Sequence, residues 1–181
     1  MQRLLVMTII GPDRPGLVDS IASLVTEHGG NWLESRMARL GGQFAGILRV
    51  EIPAHKEQSL VSALGQLKKQ GLTIVVHGDE ATSASQAPRL CRLEIVGQDR
   101  PGIVRQISHA LASYSVNVEE LQTECESAAM SGETLFRARA RLNVPRSCSV
   151  DEIRQKLEKI AEDLIVEISL AELPAAESVK A

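Results

Sequence analysis

The stretch Gly11-Pro12-Asp13-Arg14-Pro15-Gly16 returns as Gly97-Gln98-Asp99-Arg100-Pro101-Gly102, 86 residues further on. Each copy follows a short apolar run, Leu4 to Ile10 and Leu93 to Val96. Each opens a helical pattern, Leu17-Val18-x-x-Ile21 and Ile103-Val104-x-x-Ile107, and Asn31 and Asn117 keep the same spacing. A strand, a tight turn, a helix and an Asn, repeated in register, make the chain an internal duplication.

Outward from the first turn, Arg3 to Ile10 reads as a strand that is apolar on both alternations, as a central strand is. Pro15 has no N–H to lose at a helix start, and Asp13 suits the positive end of a helix. Leu17, Ile21, Leu24, Val25 and His28 share one helical face, and Gly29-Gly30 ends that helix. Asn31 to Leu40 is a second strand, Gly41-Gly42 a hairpin, and Gln43 to Ile52 a third strand. On the third strand Phe44, Gly46, Leu48, Val50 and Ile52 face one way, and Gln43, Arg49 and Glu51 the other. His55 to Gln70 is a second helix and Leu72 to His77 a fourth strand. The order is βαββαβ, the ferredoxin-like α+β plan, with two helices on one face of a four-stranded antiparallel sheet. Leu5, Met7 and Ile9 are expected on the open face of the first sheet, where they would meet the other domain or another subunit.

The second half repeats that order, ending with a helix from Val150 to Asp163 and a strand from Leu164 to Leu170. Phe44 corresponds to Phe136 and Pro53 to Pro145, an offset of 92 instead of 86, so six residues are added to the second hairpin, within Glu124 to Gly132. The expected domains are 1–80 and 89–172, joined by a linker at 81–88 and followed by a flexible tail at 173–181.

A chain of 181 residues with 44% apolar content suits two small globular domains. With two Phe, one Trp and one Tyr, the cores must be aliphatic. A net charge of −3 argues against holding nucleic acid directly. Cys91, Cys125 and Cys148 are odd in number and far apart, so neither a disulfide framework nor a structural zinc site is expected, and no cofactor. No secretion signal or membrane span is legible, and a cytoplasmic location is expected. The sequence has no nucleophile elbow, phosphate loop, dinucleotide fingerprint or zinc-protease motif, and its four histidines are scattered. No enzymatic activity is expected.

The repeated turn carries the chemistry that remains. A helix start offers unpaired N–H groups and partial positive charge, and Gly16 and Gly102 let a ligand approach that backbone. Such a site suits a carboxylate. Asn31 and Asn117 can both donate and accept, and so hold either end of an amino-acid zwitterion. The structural reading stands beside it: Gly and Pro make the turn, and Asn leaves the helix. Two readings also stand for Arg137, Arg139 and Arg141: a solvated sheet face, or a surface for an acidic partner or nucleic acid. Cys125, near the long hairpin, is either a reactive thiol or an inert small residue.

A βαββαβ unit with Asp-Arg-Pro-Gly-[Leu/Ile]-Val after its first strand and Asn at the start of its second resembles the ACT domain, a small regulatory fold. Two such units covering nearly the whole chain resemble the glycine cleavage system transcriptional repressor family. The resemblance implies binding of an amino acid such as glycine between the first turn of one domain and the second strand of its neighbour. Carried onto this chain, the ligand-binding positions are Asp13, Arg14, Pro15, Gly16, Leu17 and Asn31, with Asp99, Arg100, Pro101, Gly102, Ile103 and Asn117. It further implies control of glycine cleavage through a transcriptional activator protein, without direct nucleic-acid contact, and pairing of domains side by side, including a homodimer through sheet edges. The alternative it leaves is a regulatory subunit acting in trans on an amino-acid or one-carbon enzyme, since similar modules occur fused to formyltetrahydrofolate deformylase and to nitrogen-regulating uridylyltransferase. Gln98 in place of Pro12 marks the two turns as unequal.

Overall fold

A computed structural model describes residues 1–79, 89–127 and 133–174. The expected linker at 81–88, residues 128–132 of the span expected to hold the hairpin insertion, and 175–181 of the expected tail lie outside the described residues. The chain divides into two compact units, Met1–Ser83 and Ala84–Ala181. The first runs β1 (Gln2–Pro12), α1 (Leu17–Glu27), β2 (Asn31–Leu40), β3 (Gln43–Pro53), α2 (Glu57–Gln66) and β4 (Thr73–Gly78). The second runs β5 (Arg89–Gln98), α3 (Ile103–Ser113), β6 (Asn117–Ser127), β7 (Thr134–Val144), α4 (Val150–Leu164) and β8 (Val166–Glu172). The sheets are ordered β2-β3-β1-β4 and β6-β7-β5-β8, with all neighbours antiparallel. Each unit is a ferredoxin-like α+β fold, twice in tandem.

Glycines punctuate the elements. Gly29 at φ 71° and Gly71 at φ 85° end the two helical segments of the first unit, and Gly41 and Gly42, both at positive φ, make the β2–β3 hairpin. The first core joins Leu5, Met7, Leu48 and Ile52 of the sheet to Ile21 and Leu60 of the helices, each 0% exposed. The second core is aliphatic except for Phe136 and Cys91, with Leu142 and Leu157 at its centre. Burying each such side chain contributes about 1.5–3 kcal/mol.

One expectation is overturned. Leu5, Met7 and Ile9 do not lie on the open face; they are at most 2% exposed and pack under the helices. Register is the cause: Leu5 pairs with Val50, Met7 with Leu48 and Ile9 with Gly46, and paired residues share a face. The residues between them, Val6, Thr8 and Ile10, point to the helix-free side.

Candidate functional site

Helix α1 begins at Leu17, capped by Gly16 in the left-handed region at φ 85°, with no side chain bonding to its start. Helix α3 begins at Ile103 in the same way, capped by Gly102 at φ 100°. Helix α4, by contrast, has Ser149 accepting from the Glu152 N–H. The first helical bonds run from Ser20 N–H to the Gly16 carbonyl (2.9 Å) and from Gln106 N–H to the Gly102 carbonyl (3.0 Å). The N–H groups ahead of them, at 17–19 and 103–105, have no carbonyl one turn back to bond. The left-handed glycine displaces the proline: Pro15 sits one residue before the cap, not in the helical first turn.

Asp13 also departs from expectation. Its carboxylate does not cap α1 but meets Arg39 Nε of β2 at 2.6 Å. Its N–H donates to the Gly42 carbonyl at 2.9 Å, and Arg14 Nη2 donates to Gln70 Oε1 at 2.7 Å. The first turn is thus strapped to the hairpin and to the end of the second helix. In the second unit Asp99 N–H donates to the Thr134 carbonyl at 2.8 Å, while Arg100 Nη2 reaches only Gln98 Oε1 at 3.0 Å. Cys125, paired with Phe136, stands where Arg39, paired with Phe44, stands in the first unit. Arg39 and Gln70 escape sequence reading because each meets the turn only through the tertiary fold.

The two glycines of each turn do different jobs. A Cβ on Gly11 would lie 2.7 Å from the Gly71 carbonyl oxygen, and one on Gly97 would lie 2.6 Å from Val166 Cγ1, so both are set by close packing. A Cβ on Gly16 would meet nothing within 4 Å, and one on Gly102 nothing nearer than Gln106 Nε2 at 3.8 Å. These second glycines are set by φ, and the space above them is open. Leu17 and Ile103, 3% and 2% exposed, turn their side chains into the cores, leaving only their N–H groups to the site. Pro15 and Pro101 are exposed.

Asn31 and Asn117 are exposed first residues of β2 and β6, the edge strands. They lie beside Glu51 and Asn143, at the far end of the sheet from the turns, which adjoin Gly42 and Thr134. Along a ten-residue strand that separation is roughly 30 Å. Within either unit the structure does not bring the turn and the Asn together; they lie at opposite ends of the sheet.

Of the arginine row, Arg137 faces Glu124 at 3.7 Å and Arg141 faces Glu119 at 3.2 Å, while Arg139 stands opposite Glu94 in the register. The row belongs to a charged, helix-free face with a concavity of about 500 Å³ between Arg92, Glu94, Gln122 and Arg139. Cys125 is exposed; Cys91 is buried, and burial, reinforced by Glu172, raises its thiol above the ordinary value of 9.0. Among the described residues no three His, Cys, Asp or Glu side chains gather as a metal site, and no helix is long and apolar enough to cross a membrane.

Comparison with known proteins extends these observations. A family model described as the ACT domain matches residues 3–77. The glycine cleavage system transcriptional repressor of Escherichia coli (strain K12) is 23% identical over 165 residues, covering 90% of this chain and 86% of that one. A crystal structure of an unknown protein from Galdieria sulphuraria is 31% identical with a TM-score of 0.83, covering 96% of this chain and 100% of that one. Another, provisionally named as a glycine cleavage system transcriptional repressor, is 19% identical with a TM-score of 0.69 over 96% of this chain and 98% of that one; at that identity it speaks for the fold.

Proposed function

Because the chain is a tandem ACT-domain protein that resembles the glycine cleavage system transcriptional repressors, we propose that it is an amino-acid-responsive regulator that senses a small amino acid such as glycine and acts on transcription through an activator protein. The observation that carries this reading is the uncapped helix start over a left-handed glycine with open space above it, built twice. The ligand carboxylate takes the free N–H groups at 17–19 or 103–105, where the helix dipole favours an anion. Its ammonium takes an Asn side-chain oxygen and, at the second turn, the exposed Asp99.

A single unit cannot supply both halves across roughly 30 Å. Antiparallel pairing of two edge strands supplies them, because it sets the start of one strand against the end of the other. The Asn of one unit then falls near the turn of its neighbour. The edges suit such pairing. Val18 and Leu33 in the first unit are 45% and 43% exposed, and Val104, Val118 and Leu121 in the second are 45%, 39% and 52% exposed. In the second unit these residues border an apolar cleft of about 40 Å³ between α3 and β6. Ligand bridging the two halves stabilises the paired arrangement and so biases the surface that the activator meets.

Calorimetric titration with glycine, serine, alanine and other small amino acids is the test. Heat of binding and a ligand-dependent rise in melting temperature are expected for at least one of them. A flat titration and unchanged melting with all of them would overturn the sensor reading. Affinity capture from cell extract, with and without that amino acid, tests the protein partner; the partner is expected to be recovered in a ligand-dependent way.

A further inference from the structure

The two units share a fold but not the face that their helices leave uncovered. On the first sheet Thr8 pairs outward with Ile47 on one side and Val75 on the other. Ile10 pairs with Ala45 in the next row. Ile10, Ile47 and Val75 are 52%, 54% and 46% exposed, three aliphatic side chains on three adjacent strands gathered around Thr8, with Arg36 at the end of the Ile47 row. On the second sheet most of these places are charged or polar: Glu94 for Thr8, Arg139 for Ile47, Arg137 for Ala45 and Ser169 for Val75, with Val96 alone keeping the apolar character of Ile10. The duplication has left one face densely charged and the other with an exposed aliphatic patch beside Arg36 and Arg49, and exposed apolar patches mark interaction surfaces.

We propose that two copies of the chain pack together through this face, first sheet on first sheet, about a two-fold axis parallel to the strands. An axis over the gap between β1 and β3 sets β3 of one copy on β1 of the other, and β2 on β4. Ile47 then lies over the methyl and hydroxyl of Thr8 of the second copy and Ala45 covers Ile10, and the two-fold repeats both contacts in an isologous interface. In the row with Arg49 and Val6, Glu34 of one copy comes over His77 of the other, an acid on a base, while Arg49 comes over Val6 and Arg36 over Val75, where their aliphatic stems can lie on the contact. Sheets packed in this aligned way keep their strands within about 30° of each other. The second face suits the same contact less, because it carries four arginines, Arg92, Arg137, Arg139 and Arg141, where the first carries Arg36 and Arg49, and burying them costs their hydration.

Area sets the strength. Strands of 11, 10, 11 and 6 residues about 4.8 Å apart present roughly 600 Å² per copy, or roughly 1,200 Å² in all. That is the lower end of specific interfaces, so the dimer is expected to be reversible in the micromolar range.

Sedimentation velocity on the full chain from about 1 to about 100 μM tests this. Wild type is expected to shift from monomer to dimer across that range. Ile47→Arg gives the first sheet the residue that the second carries there, and is expected to weaken association by roughly tenfold or more with the melting temperature kept. Val75→Ser weakens it in the same direction, and decides the matter if Ile47→Arg does not fold. A wild type that stays monomeric throughout, or association unmoved by a folded face variant, overturns the proposal. Neither outcome bears on amino-acid binding, which calorimetry reads separately.

Discussion

The two glycines at either end of each turn are chemically identical and physically opposed. Gly11 has no room for a methyl group against the Gly71 carbonyl at 2.7 Å, while Gly16 has room but holds φ at 85°. Gly11→Ala is therefore an overpacking change, expected to cost about 1–3 kcal/mol in chemical denaturation. Gly16→Ala is a conformational change, expected to cost about 1–2 kcal/mol. The second also places a methyl group in the open space where the ligand is proposed to sit, so it is expected to weaken amino-acid binding at that turn beyond its effect on folding. Calorimetry beside denaturation separates the two effects. The ion pair of Asp13 and Arg39 is largely exposed, with the Arg39 side chain 69% accessible. Arg39→Gln should thus change stability by less than about 1 kcal/mol. By loosening a pre-ordered turn it is expected to weaken the first site several-fold in calorimetry and to leave the second site unchanged.

The elements themselves were legible because strand and helix periods differ, and because Gly and Pro close nearly every one of them. What stayed illegible was the phase of β1. With Leu4, Val6 and Ile10 on one alternation and Leu5, Met7 and Ile9 on the other, hydrophobicity cannot choose the buried side. The choice is made by pairing with β3, whose own alternation is unambiguous. The candidate site divides in the same way. The turn and the Asn are local signatures and could be read directly, whereas the hold of Gln70 on Arg14 spans 56 residues and comes into being only when the second helix docks. Strand β5 carries a further consequence of burial. Cys91 is held protonated in the folded chain, with its thiol above the ordinary 9.0, while the unfolded chain releases that proton first. The stability this provides is complete below about pH 9 and is lost as pH rises through the folded value. Melting temperature is expected to fall less steeply above pH 9 in Cys91→Ala than in wild type. A thiol reagent should modify Cys125 at once and Cys91 only on unfolding, since the first is exposed and the second buried.

At the scale of the whole chain, the duplication could be read from two offsets, 86 for the turns and 92 beyond the second hairpin. The divergence of the two faces could not, because it is a property of registers rather than of motifs. A chain with two units of one topology faces a hazard during folding, in that a strand of one can be captured by the other. The charges on the second sheet act against this. If β5 took the place of β1 beside β3, Arg92 would fall opposite Arg49 and Glu94 opposite Ile47, setting like charge on like and a carboxylate beside an aliphatic side chain. Arg92 faces an arginine in either sheet, Arg141 met by Glu119 or Arg49 met by Asp79, so the discrimination rests on Glu94, which faces Arg139 in its own sheet and would face Ile47 in the other. The charged face therefore works as a key for self-recognition, making the correct partner strand cheaper than its near-copy while both are still searching.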